Sequence, residues 1–235
     1  DRIENLPTMP ENATRLLLAL GDEECPAGRI AAALKRDVAM GANVLHLANS
    51  AYYAASGRTI ADLDRAVARV GLVEVRNVVL AAGVIPAFSG FAARGALKDF
   101  WRHAVRVALV SETLRNHCED ARLRQPDAGE ILYLSGLLHD VGILAVVRLF
   151  PALFERVREQ AEKRDLALRD VETALTGSDH GEFGARLIAR WKLPPVVRDA
   201  VRFHHNPDGA PEDARPVALV LHVAEYLCNH EGLGG

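Results

Sequence analysis

Six side chains able to bind a metal are spread over the second half of the sequence. The densest pair is His139-Asp140, set in Leu137-Leu138-His139-Asp140-Val141-Gly142, an imidazole beside a carboxylate in an otherwise apolar stretch. Burying such groups is unfavourable unless a partner compensates, and a divalent metal is one such partner. His103, His180 and the adjacent His204-His205 stand where a metal site could recruit them. Imidazole nitrogen and carboxylate oxygen suit zinc, iron or manganese, and an open coordination position makes a nucleophile of water. A carboxylate next to a histidine can bridge two metals. On a helix, adjacent side chains point about 100° apart, so His139 and Asp140 both reach a cleft lying between their directions.

Each residue also has a plainer structural reading. His103, in Phe100-Trp101-Arg102-His103-Ala104 near the start of a long helix, can be a solvated or core histidine. His180 opens His180-Gly181-Glu182-Phe183-Gly184 after Ser178-Asp179, either of which suits a helix N-cap. His204 continues the stripe Val197, Ala200, Val201 and faces the core, where a neutral, hydrogen-bonded ring would suffice. Glu225, in His222-Val223-Ala224-Glu225-Tyr226-Leu227, supplies a last carboxylate or belongs to an exposed helix face.

The elements that must position these groups read as helices throughout. Apolar residues recur at i, i+3, i+4, i+7 in Ala13, Leu16, Leu17, Leu20, in Leu63, Ala66, Val67, Val70, and in Val75, Val78, Val79, Ala82. The same offsets give Gly184, Leu187, Ile188, Trp191 and Val217, Val220, Leu221, Ala224. Strand-like alternation is absent, which predicts an all-α fold. Pro7 and Pro10 precede the first helix, Gly21-Asp22 ends it, and Pro26 opens the second. Gly57, Gly71, Gln125-Pro126-Asp127 and Asn206-Pro207-Asp208-Gly209 mark turns, and Leu193-Pro194-Pro195 separates two helices. A soft region from Ser89 to Gly95 divides the chain into residues 1–92 and 93–235, with every candidate ligand in the second part.

Composition sets the outer limits. The chain has 235 residues, 49% hydrophobic and 25% charged, with a net charge of -3. That is a globular balance and no electrostatic trap for nucleic acid. The helix Leu63 to Val70 carries Arg65 and Arg69 outward, which an ordinary solvated face explains as well as nucleic-acid binding does. Cys25, Cys118 and Cys228 form no Cys-x-x-Cys pair, so thiolate zinc and a disulfide framework are not expected and a reducing cytoplasm fits. The apolar run Val78 to Phe88 contains Gly83 and Pro86 and is shorter than the roughly 18 residues a membrane span needs. No signal-peptide pattern opens the chain, and its start at Asp1 rather than Met suggests a piece of a longer polypeptide.

Taken in order, these segments resemble a known pattern. The second half is similar to the HD superfamily of metal-dependent phosphohydrolases, and the whole chain resembles the HDOD domain, the HD-related output domain of bacterial signalling proteins. The matching residues include Leu6-Pro7-Thr8-Met9-Pro10, Asp37, Leu47-Ala48-Asn49-Ser50-Ala51-Tyr52-Tyr53, Trp101-Arg102-His103-Ala104 and the His139-Asp140 segment. His180-Gly181-Glu182-Phe183-Gly184-Ala185, Trp191-Lys192-Leu193-Pro194 and His204-His205 complete them. The resemblance implies an HD-like helical bundle with an additional N-terminal helical subdomain. It implies that His103, His139 and Asp140 ligate a first metal, and that His180, His204 and His205 hold a second with Asp140 bridging. Glu225 stands near the place of the closing aspartate of the first site. The Gly-Tyr-Pro signature of cyclic-di-GMP phosphodiesterases is absent after His180, so their substrate is not implied.

Two functions follow as expectations. The first is a regulatory, protein-interacting module whose partners are signalling proteins or fused signalling domains, with a divalent metal (iron, manganese or zinc) as a structural or ligand-sensing element. The second is a metal-dependent phosphohydrolase acting on a phosphodiester or nucleotide, with His139 and Asp140 at the catalytic centre and Arg102 or Lys192 holding the phosphate of a small-molecule ligand.

Overall fold

The computed structural model describes residues 12–13, 15–16, 26–50, 52–53, 59–72, 74–75, 77–79, 82–83, 94–125 and 128–230, with the backbone alone for 94–98. The expectations for Leu17, Leu20, Gly21-Asp22, Gly57, Ser89-Gly90 and Pro126 lie outside them. The described residues contain helices and no strand, the all-α architecture expected. The chain separates into two compact units, one within residues 7–89 and one carrying residues from 90 onward.

The first unit contains α1 (Ala27–Leu34), α2 (Val38–Ala48) and α3 (Leu63–Val70). Pro26 precedes α1, and Asp37 and Asp62 cap α2 and α3 by accepting from the amides of Met40 and Arg65. The predicted apolar stripe of α3 is buried at Leu63, Ala66, Val67 and Val70, and α3 packs on both α1 and α2. Asn49, in the distinctive Leu47-to-Tyr53 segment, is a clasp. Its amide donates to the carbonyls of Leu45 (2.9 Å) and Ile60 (2.7 Å), and its oxygen accepts from the Ile60 amide (2.8 Å). One of the two arginines read as an outward basic face is turned inward, since Arg69 donates to the Ala48 carbonyl at 3.3 Å.

The second unit comprises α4 (Arg94–Leu114), α5 (Ala128–Leu138), α6 (Val141–Leu149), α7 (Pro151–Arg164), α8 (Leu168–Thr176), α9 (His180–Arg190), α10 (Pro195–Phe203) and α11 (Arg215–His230). Gly95, read as part of a soft region, lies inside α4. A glycine near a helix end costs at most about 1 kcal/mol, which a helix of 21 residues with a buried face outweighs. Asp179 caps α9, accepting from the Glu182 amide at 3.1 Å, and Pro195 starts α10 as expected. α5 is the central helix, buried from Leu132 to Leu138 and packed against α4, α10 and α11.

The stretch Ala128–Leu149, 22 residues long, is apolar enough by length and composition to cross a membrane, and 72% of its 18-residue apolar window is buried inside the protein. Its hydrophobicity is that of a core segment, broken at His139-Asp140 by the turn between α5 and α6. These two residues therefore do not diverge as neighbours on one helix. The chain reverses there, and the backbone of Asp140 (φ -99°, ψ 7°) lies in the sparsely populated bridge region.

Two glycines set the helix spacing at this turn. A methyl group on Gly136 would come closer than 3.0 Å to the backbone of Ala108 in α4, and one on Gly142 closer than 3.0 Å to the His180 carbonyl and the Gly184 amide in α9. Backbone is what these methyls would meet, so neither site can relax by a side-chain rotation. Gly142→Ala should push α6 from α9, with a cost of about 1–3 kcal/mol. An unchanged urea midpoint for that variant would contradict the close crossing.

Candidate metal centre

All seven predicted ligands fall in the second unit, and the structure brings them together. His103 comes from α4, His139 and Asp140 from the α5–α6 turn, and His180 is the first residue of α9. His204 and His205 form the turn after α10, and Glu225 reaches in from α11. Asp140 sits between two groups of rings. Its Oδ2 lies 3.1 Å from His139 Nε2, while its Oδ1 lies 3.3 Å from His180 Nε2 and 3.9 Å from His204 Nε2. The donor atoms of His103, His139 and Asp140 lie within 4.8 Å of one another, as do those of His180, His204 and His205. Glu225, grouped with the first set in the sequence reading, has Oε2 3.8 Å from His204 Nε2 and 3.6 Å from His205 Nδ1.

The protons on the rings follow from what lies behind them. His139 Nδ1 is 2.7 Å from the Gly136 carbonyl, and His204 Nδ1 is 2.6 Å from the Val201 carbonyl. A carbonyl only accepts, so both Nδ1 atoms carry hydrogen and both Nε2 atoms are directed inward. His180 Nδ1 donates to Glu172 Oε2 at 2.7 Å, and the same oxygen accepts from the His180 amide at 2.9 Å. This is how metal-binding histidines are ordinarily held, with the outer nitrogen committed to a carbonyl or carboxylate.

The inner atoms fit a cation. His139 Nε2, His204 Nε2 and Asp140 Oδ1 are buried and make no geometrically sound hydrogen bond. A buried polar atom without a partner is costly, and these three lie around one carboxylate, His139 Nε2 3.1 Å from Asp140 Oδ2 and His204 Nε2 3.9 Å from Oδ1. His180 Nε2 and His205 Nε2 also face each other at 2.8 Å, a separation that needs a proton or a metal between two lone pairs. Asp140 occupies the position before α6 where aspartate usually caps a helix, yet its side chain makes no capping bond. A cap is worth about 1 kcal/mol, and the carboxylate is turned to the rings instead.

Without a metal, protons take up the charge. Burial opposes a charge on His139, but the Asp140 carboxylate beside it prevails and raises its pKa. At His180 burial is again outweighed, by Asp140 and Glu172, and the pKa rises to about 10. Burial would lift Asp140, but His139 and His180 hold it well below the usual carboxylate range. Burial, reinforced by neighbouring rings, lowers His204 far below its ordinary value and His205 to about 3. His103 is lowered by burial and by His139, while Glu225 is raised by burial and by Asp140.

Three residues outside the predicted set support the centre. Glu172, 3% exposed, orients His180. Its sequence signal is a carboxylate on the apolar stripe Leu168, Val171, Leu175, whose members pack together. His222 Nδ1 donates to the His204 carbonyl at 2.8 Å, and Arg169 donates to the His205 carbonyl at 2.8 Å. Only the folded backbone reveals these two. A cavity of about 480 Å³ reaches Asp140, His180, His205 and Glu225, with Leu168 and Tyr226 among its walls. Arg102 and Lys192, read as phosphate holders, do not line it, and Arg102 pairs with Asp99 on the surface at 2.8 Å.

The HDOD domain model matches residues 6–207, and the chain belongs to that family. It is 27% identical to a proposed phosphohydrolase from Shewanella amazonensis SB2B, with a TM-score of 0.79 over 99% of this chain and 80% of that one. An HDOD domain protein of unknown function from Geobacter sulfurreducens gives 26% identity and a TM-score of 0.82 over 98% of this chain and 75% of its own length. An uncharacterized protein of Treponema pallidum (strain Nichols) is 29% identical over 95% of this chain, which spans 42% of that relative's length.

A metal entering this centre must displace the proton that Asp140 and Glu172 hold on His180. With the pKa raised to about 10, that proton is present at neutral pH, and apparent metal affinity should increase from about pH 6 to about pH 9. Calorimetric binding heats should accordingly vary with the ionisation enthalpy of the buffer; heats identical in phosphate and Tris would refute proton release.

Proposed function

We propose that this chain is a regulatory HDOD module whose His/Asp centre holds a divalent metal (iron, manganese or zinc) and whose output is contact with signalling proteins or attached signalling domains. The observation that carries the metal reading is that three buried atoms around one carboxylate, His139 Nε2, His204 Nε2 and Asp140 Oδ1, make no hydrogen bond. A family model over most of the chain supports the regulatory part, as does similarity to a proposed signal transduction protein from Marinobacter aquaeolei VT8 (25% identity, TM-score 0.82). This chain spans 50% of that protein, leaving room there for further domains.

The cavity's charge also favours sensing over turnover. Its arginine, Arg169, already donates to Asp170 (3.2 Å) and to the His205 carbonyl (2.8 Å), and Glu225 adds a carboxylate to the floor. Recognition of a phosphorylated small molecule would then rest on the metal more than on the chain.

Phosphohydrolase activity is the second reading, favoured by Asp140 presenting one oxygen to each ring group beside an open cavity. A metal there would supply Lewis acidity toward a phosphoryl oxygen. The chain's part would be to hold the rings by their Nδ1 atoms and, through Asp140, to fix the spacing between the two positions.

Protein purified without chelator should contain iron, manganese or zinc, and Asp140→Asn should lose it. Substoichiometric metal in the wild type, unrestored by adding these ions, would overturn the metal reading. Phosphodiester and nucleotide substrates distinguish the rest: turnover in the wild type that disappears in Asp140→Asn establishes the phosphohydrolase, and equal inertness of both supports the regulatory module.

A further inference from the structure

The two groups of donors around Asp140 are unequal in number, burial and support. The first offers His103, His139 and Asp140 Oδ2. The second offers three rings, His180, His204 and His205, together with Asp140 Oδ1 within 3.3 Å of one ring and Glu225 Oε2 within 3.6 and 3.8 Å of the other two. Full donor sets close a metal position, whereas three protein ligands leave room for an exchangeable one.

Burial differs at one ring. The side chains of His139 and His204 are 0% exposed, that of His180 4% and that of His205 17%, while His103 is only half-buried. Support differs most. His180 is fixed by Glu172, through both its ring and its amide. The His204-His205 turn is pinned on each carbonyl, by His222 and by Arg169, and the His204 ring is held by Val201. Among the described residues, His103 has a ring contact with His139 (centroids 5.3 Å apart) and no hydrogen bond orienting its ring. Ligands that need no reordering bind more tightly, because the ordering entropy is met in folding.

Resting on the reading that this centre holds metal, we infer that the His180–His204–His205 position is the tight, closed one, with Glu225 among its ligands and Glu172 as its positioning residue. The His103–His139 position is the weak one, where metal exchanges. The two positions thus divide into a permanent and a conditional metal.

Titration of metal-stripped protein with Mn²⁺ in a calorimeter tests the order, with circular dichroism confirming the fold of each variant. The wild type should show a tight and a weak phase. His205→Ala should remove the tight phase, and His103→Ala should keep it and lose the weak one. Glu172→Gln keeps an oxygen to accept from His180 but removes the carboxylate, and should weaken only the tight phase, by about 10–100-fold. Glu225→Gln, a near-isosteric change chosen to preserve folding, should weaken the same phase. Tight binding that survives His205→Ala but not His103→Ala would overturn the order while leaving the metal centre standing, as would two phases lost alike in both variants. No Mn²⁺, Fe²⁺ or Zn²⁺ uptake by the wild type would overturn the metal reading and this inference together.

Discussion

Everything in the second unit is arranged around the cost of burying lone pairs without donors. Helices from five parts of the chain deliver ring nitrogens and one carboxylate to a place the solvent hardly reaches. Each of three rings spends its outer N–H on a fixed acceptor, which leaves the inner nitrogen unable to satisfy itself. A proton on His180 offsets part of this through Asp140 and Glu172. A divalent cation would offset more of it, since it would meet several lone pairs at once. The arrangement is unfavourable for stability alone, and Asp140 shows it most clearly by declining the capping bond its position offers.

The scaffold bears this cost through close helix contact. α5 is apolar nearly all round because α4, α10 and α11 surround it. Gly136 and Gly142 flank the His139-Asp140 turn and let two neighbouring helices approach at backbone distance. The turn is thereby pressed between α4 and α9, which is what brings His103 and His180 to opposite sides of Asp140.

Much of this could be read before the fold was known. The 3.6-residue spacing of Leu63 to Val70 and of Val217 to Ala224 identified buried helix faces, because burial is the sole requirement those residues meet. The candidate donors were legible because histidine and aspartate are conspicuous inside apolar segments. Glu225 was harder to place: sequence order gave its presence, but its neighbours depend on how α11 rotates against α10. His222 and Arg169 were illegible for a different reason, since they act on main-chain carbonyls that carry no residue-specific signal. The turn at His139-Asp140 reads as helix in the sequence because the apolar run continues across it to Leu149.

The close crossing at Gly142 has a wider consequence. It is held by backbone meeting backbone and by apolar neighbours, with no imidazole taking part. Shape and chemistry are therefore separately heritable here: a lineage could exchange one ring after another and still present the same silhouette. Superposition alone cannot tell an armed copy from a retired one, and a census of the inward-facing nitrogens is the better witness.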